Sequence, residues 1–324
     1  MALGTARRAG QPAKRRLLFG LALIPPKVGR PAARPLDKAP GMVDLTPWIG
    51  REERACETLD APLARRWLAT FDLPLRNDGA MPQGIHWCLG VPETPSAALG
   101  ADGHPKRDGS PDSFLPPAPA PRRMWAGSAC EFFAPLEIGA VAERVSRIEA
   151  IEAKQGSTGA LTFVTILHET TADGALALRE RQTLVYRQAP PPGSPPAPPP
   201  LGDGRFDASG WDAVRRLVPD APLLFRYSAL TFNTHRIHYD ADYVRDVEGY
   251  RGLVVHGPLM ASLLLQLADR EIGGNALKKF TFRGMSPAVP DEELILAMRR
   301  MGEDAQFGVF AADGRQVMQA SASL

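Results

Sequence analysis

Cysteine is scarce. Cys56, Cys88 and Cys130 are the only three in 324 residues, and no two lie close enough in sequence for a C-x-x-C metal or redox pair. That excludes a disulfide framework and fits a reducing compartment, so the cytoplasm is the expected location. Long apolar runs are missing too: the stretch at residues 17–24 falls far short of the roughly 20 residues of a membrane helix, and nothing later is longer. No membrane partner is expected. Acids are nearly absent from residues 1–40, where nine Lys/Arg face the single Asp37. Removing that segment from chain totals of 38 bases and 36 acids leaves 29 against 35, a net of −6. The basic overall pI is therefore no argument for nucleic-acid binding. Residues 1–40 read as a disordered extension, with a mitochondrial transit peptide as the alternative; Pro25-Pro26-Lys27 after the apolar run is a poor export cleavage site.

Proline, by contrast, is abundant and concentrated. Residues 190–200 hold eight, a run that favours extended polyproline II and cannot join a sheet ladder. With its flanks (189–204) it divides the body into residues 41–188 and 205–324. Both parts end alike: "LTFVTILHETTADGALALRERQTLVYR" and "AQFGVFAADGRQVMQASASL" each read as strand, Asp-Gly turn, strand. Each is preceded by another strand-like run that follows a proline, Pro135 or Pro287. The pattern predicts two copies of one α+β unit. In the second, "GPLMASLLLQLADREIGG" predicts a helix with proline in its first turn and Gly273-Gly274 as its stop. Its apolar residues surround the whole circumference, so it is a buried helix.

Three of the six histidines fall within 22 residues: His235 and His238 in "TFNTHRIHYD", and His256 at the start of that helix. Imidazole moves protons near neutral pH, and a buried helix N-terminus offers unpaired N–H groups and partial positive charge to an oxygen that gains charge in a reaction. Gly257 lets such an oxygen approach closely. Asn233 and Asp240 add an amide and a carboxylate. Tyr243 and Tyr250 read as packing residues.

These residues carry a resemblance. "FNTHRIHYDADYVRDVEGYRGLVVHGPL" resembles the hydratase motif of MaoC-like hot-dog hydratases and dehydratases, in particular the branch of hydroxyacyl-thioester dehydratase type 2 and mesaconyl-CoA hydratases; "RRMWAGSACEFFAPLEIG" resembles that branch's first copy. The resemblance implies an α+β double hot-dog fold, two curved antiparallel sheets each wrapped around a central helix. It implies reversible hydration of an α,β-unsaturated acyl-CoA, with CoA part of the substrate, no separate cofactor and no metal, and a homodimer as the candidate assembly. Carried over by position, the family's catalytic His falls on His238 and its Asp on Asn233, which orients water but cannot take a proton. Gly257, His256, His235 and Arg236 are read as substrate contacts, and the first copy, whose His86 has no partnered motif, as catalytically silent. Mesaconyl-CoA or a similar short branched dicarboxylyl ester is the narrower expectation, a generic 3-hydroxyacyl thioester the wider one. A second carboxylate would need a cation, for which Arg122, Arg123 and Arg236 are the candidates. Three rivals remain in view: a metal enzyme using His235, His238 and Asp240, a hot-dog thioesterase, and a non-catalytic acyl-binding protein.

Overall fold

Two identical tetrapeptides, Asp60-Ala61-Pro62-Leu63 and Asp220-Ala221-Pro222-Leu223, start a short helix in each half of the chain. In a computed structural model that describes residues 44–107, 109–110, 113–156, 159–189 and 204–324, these are α1 (Ala61–Thr70) and α2 (Ala221–Leu230). The expected basic extension (1–40) and residues 190–203 of the proline linker lie outside the described residues. Each aspartate caps its helix by accepting the N–H three residues on, Leu63 at 2.6 Å and Leu223 at 2.9 Å, while the proline occupies a first-turn position that has no N–H acceptor. The helices pack on each other through Trp67, Phe71 and Tyr227, with Phe71 edge-on to Tyr227 at 6.3 Å.

Around them runs a single antiparallel sheet. The first half supplies β1 (Glu52–Thr58), β2 (Arg122–Phe132), β3 (Val141–Gly156), β4 (Gly159–Ala172) and β5 (Ala175–Arg187). The second supplies β6 (Ala213–Leu217), β7 (Lys279–Gly284), β8 (Leu294–Met301), β9 (Asp304–Ala311) and β10 (Gln316–Ser323). The strand order is β1-β3-β4-β5-β2-β7-β10-β9-β8-β6, so each half, read from its outer edge inward, repeats the same sequence of elements. Both Asp-Gly hairpins form as predicted; Asp173 and Gly174 take left-handed φ of 49° and 85°, the geometry of a tight hairpin turn. The halves join where β2 pairs with β7, from Gly127↔Arg283 to Glu131↔Lys279. A Cβ on Gly127 would sit 2.2 Å from the Phe282 carbonyl oxygen, so only glycine lets the two strands close at that point.

One element departs from the expectation of a central helix in each copy. The second half has its long helix where predicted, α4 (Gly257–Glu271), buried from Pro258 through Ala268. Among the described residues the first half has none. Its corresponding stretch, "LPLRNDGAMPQGIHWCLGVPETP", is broken by Pro74, Pro82, Pro92 and Pro95 and by left-handed glycines at 79, 84 and 90, which leave only a 3-10 turn at Ile85–Cys88. That turn packs against α4 instead: a Cβ on Gly84 would be 3.4 Å from both Leu265 Cδ1 and Ser262 Oγ. The core is thus shared, with Trp67, Ile85 and Leu178 of the first half in one cluster with Leu264, Phe280 and Phe307 of the second. Burying a side chain such as Leu264 contributes about 1.5–3 kcal/mol, so both halves draw on α4 for stability.

Candidate active site

The histidine segment is a turn, not a strand. After α2, Phe232 adopts a left-handed φ of 46°, and the Asn233 side-chain oxygen accepts the His235 N–H at 2.9 Å, a local bond that asparagine makes readily. A 3-10 turn (Arg236–His238) follows, then α3 (Ala241–Asp246), capped by Asp240 through the Tyr243 N–H at 2.9 Å. The turn directs His235 and His238 inward and leaves Arg236 and Asp240 outside.

His238 is fixed by one hydrogen bond. Its Nδ1 lies 2.6 Å from the Val254 carbonyl oxygen, which can only accept, so Nδ1 carries the proton and Nε2 holds a free lone pair. Nε2 has no protein partner among the described residues, and His238 lines a cavity of about 1300 Å³. The ring stacks on His256 at 3.5 Å and 17°. His256, the N-cap of α4, approaches Ser228 Oγ at 2.9 Å through Nε2 while its Nδ1 is buried without a partner. These contacts pack the ring, which makes no side-chain cap hydrogen bond to α4. The Gly257 N–H has no acceptor among the described residues, and a Cβ at Gly257 would meet nothing nearer than the Trp125 carbonyl oxygen at 4.0 Å. The space beside that N–H belongs to the cavity.

Arg236 corrects the sequence reading. Its Nε and Nη2 donate to Asp240 Oδ2 at 3.0 and 2.7 Å, its Nη1 to the Ala101 carbonyl at 2.9 Å, and its guanidinium covers the Tyr243 ring at 4.1 Å. Three of its five N–H groups are engaged in this way and the side chain is not among those lining the cavity, so Arg236 braces the turn and stands apart from the cavity wall. Arg122 is likewise held, by Glu248 at 3.1 Å and the Val247 carbonyl at 3.0 Å. Asp240 is taken up by its cap and by Arg236, and among the described residues it does not come together with His235 and His238 as a ligand set.

Sequence reasoning missed the contribution of the first half. A loop at residues 101–104 reaches the histidine turn: the Asp102 carbonyl accepts the Arg236 N–H at 2.9 Å, and the Gly103 carbonyl accepts the Thr234 hydroxyl at 2.5 Å. It brings His104, whose Nδ1 donates to Asp102 Oδ2 at 2.9 Å. The His104 ring lies 4.0 Å from His235, which lies 5.6 Å from His238. Four imidazoles, His104, His235, His238 and His256, therefore form one file, and the first half is not a bystander. The only sequence signal was "DGH", an aspartate two residues before a histidine with glycine between, too common to stand out. Asp102, His104 and His235 have the residue types of a two-histidine, one-carboxylate metal set, with ligand atoms within 4.8 Å of one another. The Asp102–His104 bond already occupies one atom of each.

Burial sets the charge of the file. Desolvation pushes His238 down to about 4, His104 to about 4 and His235 to about 2, and holds His256 well below the usual imidazole range. Near neutral pH all four are uncharged, so the His238 Nε2 keeps its lone pair.

The profile of the family described as hydroxyacyl-thioester dehydratase type 2 matches residues 84–290. The chain belongs to this family. As a member it is an enzyme of the hydro-lyase class. Among its relatives, the mesaconyl-C(4)-CoA hydratase of Chloroflexus aurantiacus is 39% identical over 87% of this chain and 98% of that protein. The mitochondrial hydroxyacyl-thioester dehydratase type 2 of Schizosaccharomyces pombe is 26% identical over 68% and 78%. Solved structures agree on the fold. A MaoC-like dehydratase from Phytophthora capsici superposes with a TM-score of 0.60 at 14% identity, over 85% of this chain and 95% of that one. A Mycobacterium tuberculosis protein described as a double hot-dog aligns at 0.50 and 16%, over 85% and 96%. The family member is therefore a double hot-dog whose ten strands among the described residues form one sheet, and its match spans both the 101–104 loop and the histidine turn.

Proposed function

We propose that this protein reversibly hydrates a short α,β-unsaturated acyl-CoA, with His238 as the base. The observation that carries the reading is the tautomer of His238: Val254 binds the Nδ1–H, which leaves Nε2 open on the cavity beside the N-terminus of α4. With the thioester carbonyl seated against the Gly257 N–H, the partial positive charge of that helix end stabilises the enolate that forms when water attacks. Asn233, its oxygen committed to the His235 N–H, has only its NH₂ to offer and orients the water as a donor. His238 Nε2 takes a proton from the water as the oxygen bonds to the β-carbon; the imidazolium then gives its proton to the α-carbon, and dehydration reverses both steps. Neither step calls on a metal or a redox cofactor. The 39% identity with the mesaconyl-C(4)-CoA hydratase supports a mesaconyl-type ester as substrate. The free cysteines among the described residues favour a cytoplasmic setting.

A panel of enoyl-CoA esters tests the reading. Absorbance of the enoyl thioester should fall without release of free thiol; thiol release would make the protein a thioesterase, and no turnover of any ester an acyl-binding protein. The same assay reads the base. Catalysis needs neutral His238, so kcat/KM should stay level from about pH 8 to about pH 5 and fall tenfold per unit once the pH passes below about 4. An acid limb centred near the ordinary imidazole value, 6.5, would remove the buried His238 from the role.

A further inference from the structure

Five arginines line the cavity among the described residues, and three are held by protein groups. Arg122 pairs with Glu248, Arg144 donates to the Leu89 and Gly90 carbonyls, and Arg187 donates to the Tyr250 hydroxyl. Among the described residues Arg107 and Arg123 make no ion pair and no side-chain hydrogen bond. Arg107 lies over the Tyr186 ring at 5.3 Å, with its Nη1 buried and unpartnered; Arg123, the second residue of β2, lies on the cavity wall. Two guanidiniums placed together inside a protein with no anion of their own are costly, because each loses hydration and each repels the other. Burial and this mutual repulsion push Arg107 down to about 9, and burial pushes Arg123 to about 10. The nearby Asp102 offsets part of this charge, but its side-chain oxygens already receive His104.

We propose that Arg107 and Arg123 form a receptor for a second carboxylate on the acyl group of the substrate. The proposal rests on the hydratase reading and deepens it. Location supports the acyl end over the CoA end: both arginines act electrostatically on His104, and Arg123 also on His235, so they stand beside the imidazole file where the double bond must lie. In a mesaconyl C4 thioester the free carboxylate is carried by the β-carbon, within a few bonds of the point where water adds. Guanidinium forks suit a carboxylate, two parallel N–H···O bonds each, and neutralising it makes the β-carbon a better target for water.

The test compares mesaconyl-C4-CoA with crotonyl-CoA, which has the same CoA and no second carboxylate. The ratio of their kcat/KM values should fall ~10- to 100-fold in Arg123→Gln and in Arg107→Gln, the range of hydrogen bonds to a charged group. Arg123→Lys, which keeps the charge but not the fork, should fall between. Thermal unfolding of each variant separates lost binding from lost fold, and either glutamine variant suffices if the other does not fold. An equal loss on both esters would assign the arginines to the CoA phosphates and overturn the receptor. A wild-type enzyme that prefers crotonyl-CoA also overturns it, while leaving the hydratase reading intact. If neither ester is hydrated, the hydratase reading fails and takes the receptor with it.

Discussion

His238→Ala should lower kcat for hydration by ~10²–10⁴, the value of a positioned general base, with the protein still folded. The magnitude follows from the uniqueness of Nε2. Asn233 cannot take a proton, the His256 Nδ1 is buried, and burial pushes His235 down to about 2, too low for it to serve as a comparable base. His104 stands two rings away. The substitution also removes the ring stacked on His256 and leaves the Val254 carbonyl without its donor, so the melting temperature must be read beside the rate. Asn233→Asp separates base from water-holder. An aspartate oxygen can still accept the His235 N–H, so the turn persists, while a second proton-binding group enters the site. Measurable hydration with an altered acid limb is the expected result. Wild-type rates in a folded His238→Ala protein would move the chemistry elsewhere.

Gly103→Ala should cost about as much as a catalytic substitution although Gly103 takes no part in the chemistry. The residue has a left-handed φ of 86°, and a Cβ there would lie 1.9 Å from the Thr234 carbonyl oxygen and 2.8 Å from its carbon. Neither neighbour is a flexible side-chain tip, so the 101–104 loop or the 234–236 backbone has to move. Both are bonded to each other through Asp102 and Thr234, and the turn they form aims His235 and His238. A displacement near 1 Å at a reacting group is worth about 100-fold in rate, and the left-handed conformation adds a stability loss of about 1–2 kcal/mol. Gly139→Ala is the control, with a φ of 96° and no atom within 4 Å of its Cβ. It should lose stability and keep its kcat/KM. A Gly103→Ala enzyme with unaltered kinetics would mean that the loop does not set the turn.

Local signals were legible in the sequence, and long-range ones were not. The Asp-Gly hairpins and α4 with its proline start are each encoded locally, and each lies where the pattern put it. The repeated Asp-Ala-Pro-Leu is equally local, a four-residue signal at the start of each half. The missing first-half helix was written in its prolines and glycines, but the expectation of a duplicated fold outweighed them. Arg236 misled because charge in a motif says nothing of its partner; Asp240, four residues on, claims it. His104 and Arg107 lie about 130 residues before the histidine turn, and only the folded sheet brings them to it.

The seam between β2 and β7 makes the two lobes inseparable in a way the proline-rich boundary hides. Cut there, each lobe would expose an unpaired inner strand along the seam, a row of free N–H and C=O groups of the kind that templates aggregation. The first lobe would also lose α4, which shares a core cluster with its Trp67 and Ile85, and the second would lose the loop that steadies its histidine turn. What looks in the sequence like two modules on a string is a single cooperative body, with its least divisible line at the centre.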